Sequence, residues 1–171
     1  LAGGPCAYNP EPMAPFVDIF SIGEGEKALP EIMHLYADMK ESGEYTREKF
    51  LHAAAKLGGF YVPSLYEVSY NTDGTIKAYT PKYDDIPTRI TKRIIKDMDN
   101  AYFPDKFVMP YIETVHDRIM LEVYRGCIRG CRFCQAGFIY RPIREKSPDV
   151  VNSQVKCLYE NCGYEEASLL S

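Results

Sequence analysis

The sequence predicts a mixed α/β fold, and three segments carry that prediction. An apolar run over residues 16–22 leads through a glycine-rich loop into a helical period of apolar side chains that ends near residue 43. Alternating patterns on both sides of residues 71–74 predict a β-hairpin. From residue 118 onward the order is strand, long loop, helix and strand.

Residues 16–43 are typical of one strand–loop–helix unit of a doubly wound α/β domain. The predicted strand ends at Gly23, and apolar side chains from Ala28 to Met39 follow the helical period. Pro30 is compatible with that helix if it lies in the first turn, where a missing N–H costs no hydrogen bond. Gly43 is a suitable C-terminal stop.

The next segment, residues 44–117, predicts a helix, a hairpin and a connector. Thr46 is a suitable N-cap for a helix that ends at Gly58 and Gly59. The hairpin strands are predicted over residues 66–70 and 75–79. Residues 80–117 contain four prolines and scattered apolar residues, so we expect a connector that lies on the surface.

The last segment, residues 118–171, predicts a β–loop–α–β unit. A strand over residues 119–124 precedes a loop that is rich in glycine and cysteine. Ser147 and Pro148 fit the N-cap and first turn of a helix reaching about Asn161, and Glu166–Ser171 begin another strand. Because sites in α/β folds lie at the carboxyl ends of strands, we expect the chemistry on this loop.

Composition restricts the class of protein. The 171 residues are 46% hydrophobic and 26% charged, as in ordinary globular chains. No apolar run approaches the roughly 18–20 residues that span a bilayer, so we expect no membrane partner. Three cysteines crowded into eight residues are a poor layout for disulfides, so we expect a location in the reducing cytosol. The first residues lack both a starting Met and the pattern of a signal peptide, so we expect a fragment of a longer protein.

Positive charge is concentrated in one segment. The chain has a net charge of −4, yet residues 118–146 contain seven Lys or Arg and two acids, a net charge of +5. This asymmetry predicts an anionic ligand, and a nucleic acid is one alternative. Four side chains near its end either hold a ligand carboxylate or form a solvated loop, and the second interpretation is favoured: Tyr140, Arg141, Arg144 and Lys146.

Three of the six cysteines, Cys127, Cys131 and Cys134, lie within eight residues in a C-x3-C-x2-C pattern. Thiolates are the ligands that suit iron–sulfur clusters, and the neighbouring arginines offset their charge. No fourth cysteine is nearby, so an iron held only here keeps one coordination position open. Zinc is an alternative if Cys157 or Cys162 completes the set, although both are predicted to be helix thiols.

This pattern, with aromatic Phe133 before the third cysteine, resembles the signature of the radical S-adenosylmethionine (SAM) superfamily. The resemblance implies that residues 118–171 begin a partial TIM-type barrel in which the three cysteines hold a [4Fe–4S] cluster. It also implies SAM on the open iron, Phe133 beside the adenine, and an electron donor such as a flavodoxin or ferredoxin. Reductive cleavage of SAM then generates a 5′-deoxyadenosyl radical that abstracts hydrogen from an unknown substrate.

The N-terminal part resembles the end of the cobalamin-binding domains that precede many radical SAM barrels. The similar residues are Gly3-Gly4-Pro5 and the segment 17–26. The resemblance implies that residues 1–43 belong to such a domain, that residues 44–117 are the connector, and that Gly23, Glu24 and Gly25 contact cobalamin. A strand-to-helix turn also needs glycines for steric reasons alone.

Two further interpretations stay open. One is a non-enzymatic module that binds zinc or an iron–sulfur cluster, and the other is an RNA-modifying enzyme like the methylthiotransferases. A complete barrel needs about 200 residues or more, so we expect this fragment to bind a cluster poorly and to be inactive alone.

Overall fold

The computed structural model describes residues 1–112 and 114–170, and the chain forms two compact units, Leu1–Ile94 and Ile95–Ser171. The predicted mixed α/β class is confirmed, because both units combine helices with two-stranded sheets. In the part that the structure describes, no helix is long and apolar enough to cross a membrane. The division into 1–43, 44–117 and 118–171 stays a prediction.

Two helices build the first unit, α1 (Gly25–Glu41) and α2 (Arg47–Lys56). The Thr46 cap is confirmed, since its hydroxyl accepts a hydrogen bond from the Lys49 amide at 3.2 Å. Pro30 lies inside α1 and not in its first turn, because the helix begins three residues before Ala28. The buried faces of both helices join one apolar core.

Four strands and three short 3-10 helices complete the first unit. Strand β1 (Phe20–Ser21) pairs antiparallel with β2 (Phe60–Tyr61), and β3 (Tyr66–Tyr70) pairs antiparallel with β4 (Ile76–Pro81). The predicted hairpin is therefore confirmed. The 3-10 helices are Pro5–Tyr8, Glu11–Met13 and Pro63–Leu65.

The strand predicted over residues 16–22 is wrong in its length, because its partner β2 is only two residues long. A single parallel bridge joins Phe20 to Ala2. A doubly wound domain is built on a mostly parallel sheet, whereas β1 and β2 pair antiparallel. The doubly wound, cobalamin-domain-like arrangement of residues 1–43 therefore stays a prediction.

The second unit contains the predicted β–loop–α–β order. Strand β5 (Ile119–Glu122) pairs in parallel with β8 (Ala167–Leu170), and α4 (Pro148–Cys162) connects them. Between β5 and α4 lie β6 (Tyr124–Arg125), α3 (Ala136–Ile139) and β7 (Arg144–Glu145). Ser171, the predicted end of the last strand, lies outside the described residues. Whether this unit begins a TIM-type barrel stays a prediction.

The predicted strand 119–124 is divided at Val123. The Val123 amide donates to the Leu170 carbonyl, whereas its carbonyl accepts from the Lys146 amide, both at 2.9 Å. The chain therefore changes partner at this residue, from β8 to β7. Ile119 and Leu121 of β5 pack on Leu158 and Cys162 of α4 in the core of this unit.

Residues 80–117 do not lie wholly on the surface, so this part of the connector prediction is wrong. Ile86 is buried in the first unit, and Ile95 and Met98 are buried in the second. The boundary between the two units falls within this segment.

Candidate metal-binding loop

The three clustered cysteines lie on a loop, residues 126–143, which we call the cysteine loop. Its ends are held together by the antiparallel β6–β7 pair, in which Tyr124 faces Glu145 and Arg125 faces Arg144. At the loop entrance Gly126 has a φ of +100°, and a Cβ there would lie 2.4 Å from the Pro142 carbonyl oxygen. Glycine is needed here because the two ends touch. The loop follows the carboxyl end of β5, as predicted.

All three thiols of the loop are free of disulfides, but they do not converge. Cys127 and Cys134 are partly buried, whereas Cys131 is exposed. The Cys134 amide donates to the Cys131 carbonyl at 3.1 Å, and the Arg129 amide lies 3.5 Å from the Cys127 sulfur, which accepts its hydrogen. Among the described residues, no three His, Cys, Asp or Glu side chains gather where they could hold one metal ion. Their role as ligands stays a prediction.

The donor set nevertheless fits an iron–sulfur cluster. Three free thiols share one short loop, and one of them already accepts a backbone N–H, a contact that tunes iron–sulfur clusters. The loop surface is accessible, with Ile128 74% and Phe133 92% exposed. Phe133 therefore has a free ring face, although its predicted contact with adenine is untested.

The other cysteines of this unit have structural surroundings. Cys162 is the last residue of α4, is buried, and its sulfur accepts the Phe107 amide at 3.2 Å. The Cys157 thiol on the same helix lies 3.7 Å from the Asp105 carbonyl oxygen. Both are helix thiols, as predicted. In the region that the structure covers, neither joins the loop cysteines in a metal-binding group.

The predicted solvated loop is wrong for two cations. Arg144 is 8% exposed and donates to the carbonyls of Pro142, Ile95 and Tyr140 at 2.9–3.2 Å. It braces the C-terminal end of the loop. Lys146 is also 8% exposed; its ammonium donates to Gln154 Oε1 at 3.2 Å and lies 4.8 Å from the centroid of the Phe103 ring. Burial lowers the pKa of Lys146.

The remaining cations of the segment are only partly available to a ligand. Arg125 makes two hydrogen bonds of 2.8 Å to the Glu122 carboxylate, and Arg118 lies 3.7 Å from Glu166. The exposed cations of residues 118–146 are therefore Arg129, Arg132 and Arg141. Much of the +5 charge supports the fold and does not face a ligand.

The predicted cobalamin contacts lie at the other unit and have a packing role in the structure. Gly23 has a φ of +110°, and a Cβ there would lie 2.2 Å from the Arg93 carbonyl oxygen. The Glu24 amide donates to that same oxygen at 3.0 Å, and Gly25 is the first residue of α1. Nothing in this geometry favours cobalamin over the steric explanation.

Arg93 is a structural residue that the sequence did not reveal. Its amide donates to the Ile22 carbonyl at 2.9 Å, and its guanidinium donates to the Gly58 carbonyl at 2.8 Å and to Glu31 at 2.7 Å. The Glu31 contact raises the pKa of Arg93 and lowers that of Glu31. One basic residue among the four of the segment 88–96 carries no sequence signal for such a role.

Comparison with known proteins supports one part of this interpretation. Residues 1–63 match the family described as radical SAM proteins, N-terminal. This match supports the radical SAM superfamily at a coarse level. It lies outside the cysteine loop and lends no support to cobalamin.

The chain is also similar to an uncharacterized protein of Methanocaldococcus jannaschii. The two are 27% identical over 150 residues, which cover 87% of this chain and 26% of the relative. The chain therefore spans about a quarter of the length of the curated relative that it matches. No solved structure gives a significant match.

Proposed function

We propose that this chain carries the N-terminal region and the cluster-binding loop of a radical SAM enzyme. The observation that carries the proposal is the C-x3-C-x2-C loop of free thiols at the carboxyl end of a strand in a β–loop–α–β unit. The family match over residues 1–63 supports it independently, because it lies outside that loop. The substrate, and the activity of the whole protein, belong to this proposal.

In this proposal, Cys127, Cys131 and Cys134 hold a [4Fe–4S] cluster. With an electron from a flavodoxin- or ferredoxin-like donor, the bound group would supply the reductive cleavage of SAM to methionine and a 5′-deoxyadenosyl radical. Gly126 and Arg144 keep the two ends of the loop together, and the exposed Arg129 and Arg132 offset negative charge. The exposed Phe133 ring offers a stacking surface for adenine.

Anaerobic reconstitution with iron and sulfide tests the proposal. We expect the full-length protein that contains this chain to bind iron and sulfide. After reduction with dithionite it should show an electron paramagnetic resonance signal that changes on adding SAM. Replacing Cys131 by Ala should abolish most iron binding, because the cluster loses one of three ligands. The matched control is Cys157→Ala, which removes a partly buried thiol from α4 and should leave the iron content unchanged.

Two results contradict the proposal. Unchanged iron content in Cys131→Ala excludes the cysteine loop as the cluster site. One zinc per chain without sulfide favours the alternative, a non-enzymatic zinc module.

An RNA-modifying enzyme is not favoured, since Arg144 and Lys146 are buried and Arg125 is paired with Glu122. Binding of RNA that weakens steeply with salt would restore that alternative.

A further inference from the structure

We propose that the first unit binds a small aromatic anion of nucleotide size, in a cavity that we call the tyrosine pocket. The pocket has a volume of about 570 Å³, within the usual range for ligand sites. Tyr61, Tyr66 and Tyr79 line it, together with the segment 88–92. The site lies within residues 1–94 and does not depend on the cysteine loop.

The three tyrosine rings form a preorganised aromatic surface. The ring centroids of Tyr61 and Tyr66 are 5.0 Å apart, and those of Tyr61 and Tyr79 are 6.1 Å apart at 90°. The Tyr61 hydroxyl donates to Glu11 Oε1 at 2.6 Å, and the Tyr66 hydroxyl donates to the Pro87 carbonyl at 2.7 Å. These bonds hold two of the rings in place before any ligand arrives.

The aromatic surface is uncharged at neutral pH. Burial, followed by the hydrogen bond to Glu11, raises the pKa of Tyr61 far above its usual value, and burial also raises the pKa values of Tyr66 and Tyr79. All three phenols therefore keep their protons. A planar ring can stack on the exposed Tyr79 ring, beside the buried Tyr61 and Tyr66, without meeting a phenolate.

The segment 88–92 supplies positive charge. Arg89 and Lys92 both line the pocket, and no Asp or Glu is among the described residues that line it. The Glu11 carboxylate, which does not line the pocket, is already engaged, because its Oε1 accepts the hydrogen bond from the Tyr61 hydroxyl. The segment 88–92 is fixed at its C-terminal end, because the next residue, Arg93, donates hydrogen bonds to the Ile22 carbonyl and to the Glu31 carboxylate.

Together these features specify the ligand class. An aromatic surface favours a planar ring, whereas the two cations favour a phosphate or carboxylate. Inorganic phosphate alone would leave most of the pocket unfilled, and an uncharged ring would make no use of the positive charge of the exposed Arg89. A phosphorylated aromatic compound supplies both the planar ring and the negative charge.

Flavin mononucleotide (FMN) is a suitable probe because stacking on tyrosine quenches its fluorescence. We expect saturable quenching by the cluster-free protein, weakened by added salt, and competition by adenosine monophosphate. Riboflavin, which lacks the phosphate, should bind at least about tenfold more weakly, a difference of about 1.4 kcal/mol. Orthophosphate should compete only weakly.

Matched variants locate the site. Arg89→Ala and Tyr79→Leu should each raise the FMN dissociation constant about tenfold or more, and Arg89→Lys should restore most of the affinity. Lys77→Ala and Tyr83→Leu change exposed residues outside the pocket and should have no effect. Arg89 is itself exposed, so its replacement leaves the core intact. Circular dichroism checks the fold of each variant.

Three results would overturn the inference: no saturable binding, equal affinity for FMN and riboflavin, or unchanged affinity in Arg89→Ala. The Cys131→Ala variant separates this inference from the proposed function. If it binds FMN like the parent protein but lacks iron, the tyrosine pocket and the cysteine loop are independent sites.

Discussion

Replacing Gly23 by alanine should destabilise the first unit strongly. The added Cβ would lie 2.2 Å from the Arg93 carbonyl oxygen and 2.5 Å from the Arg93 amide nitrogen, both backbone atoms that cannot rotate away. The backbone at φ +110° is also unfavourable for any residue with a Cβ. The chain must therefore separate at this contact between the β1–α1 turn and Arg93.

The expected loss can be worked out from two contributions. An alanine held in this backbone region costs about 1–3 kcal/mol. Separation breaks two backbone hydrogen bonds, from the Glu24 amide to the Arg93 carbonyl and from the Arg93 amide to the Ile22 carbonyl. Each contributes about 0.5–1.5 kcal/mol to stability. We therefore expect Gly23→Ala to lower the free energy of unfolding by about 2–6 kcal/mol.

Gly25→Ala is the matched control, two residues away. Gly25 lies in α1, its φ is not positive, and a Cβ there would meet nothing within 4 Å. Alanine should leave stability unchanged or raise it by up to about 1 kcal/mol, because it restricts the unfolded chain and favours the helix.

Hydrogen–deuterium exchange is the decisive assay, because it reports each unit separately. In Gly23→Ala, amides of α1 and β2 should exchange faster, whereas those of β5 and α4 should serve as an internal reference. Urea unfolding followed by circular dichroism supplies the free energy. Equal stability of the Gly23→Ala and Gly25→Ala proteins would refute the steric explanation.

Three further changes test the packing of each unit. Leu158→Ala, at a fully buried position between α4 and β5, should lower the free energy of unfolding by about 2–5 kcal/mol in a urea titration. Thr46→Ala removes the cap on the Lys49 amide and should cost about 1 kcal/mol in the same assay. Hydrogen bonds from Lys56 and His52 lower the pKa of Asp85 to about 2, below its value in the unfolded chain. Its stabilising effect is therefore present above about pH 4 and lost as the pH falls towards 2. Asp85→Asn should flatten the dependence of the melting temperature on pH in that window, and an unchanged slope would contradict the assignment.

Features encoded within a few residues were predictable from the sequence. The Thr46 cap, the Asp73–Gly74 turn and the Ser147–Pro148 helix start each depend on local hydrogen bonds and backbone preferences. The structure confirms all three elements. The position of the cysteine loop after a strand was predictable for the same reason.

Contacts between residues distant in the sequence were not predictable. Tyr61 and its partner Glu11 are 50 residues apart, and Arg144 lies 49 residues from the Ile95 carbonyl that it binds. Nothing near either residue indicates the partner. The sequence therefore did not reveal the tyrosine pocket or the burial of Arg144. A charged or polar side chain is expected to be exposed unless the sequence indicates the group that it binds.

The closure of the cysteine loop by β6, β7 and the Gly126–Pro142 contact bears on the order of assembly. The two ends of the loop are joined, and β5, α4 and β8 pair and pack through residues outside the loop. The scaffold can therefore fold before the loop receives the proposed cluster. Under the proposed function, a cluster lost to oxygen could then be rebuilt on the intact loop without unfolding β5, α4 or β8.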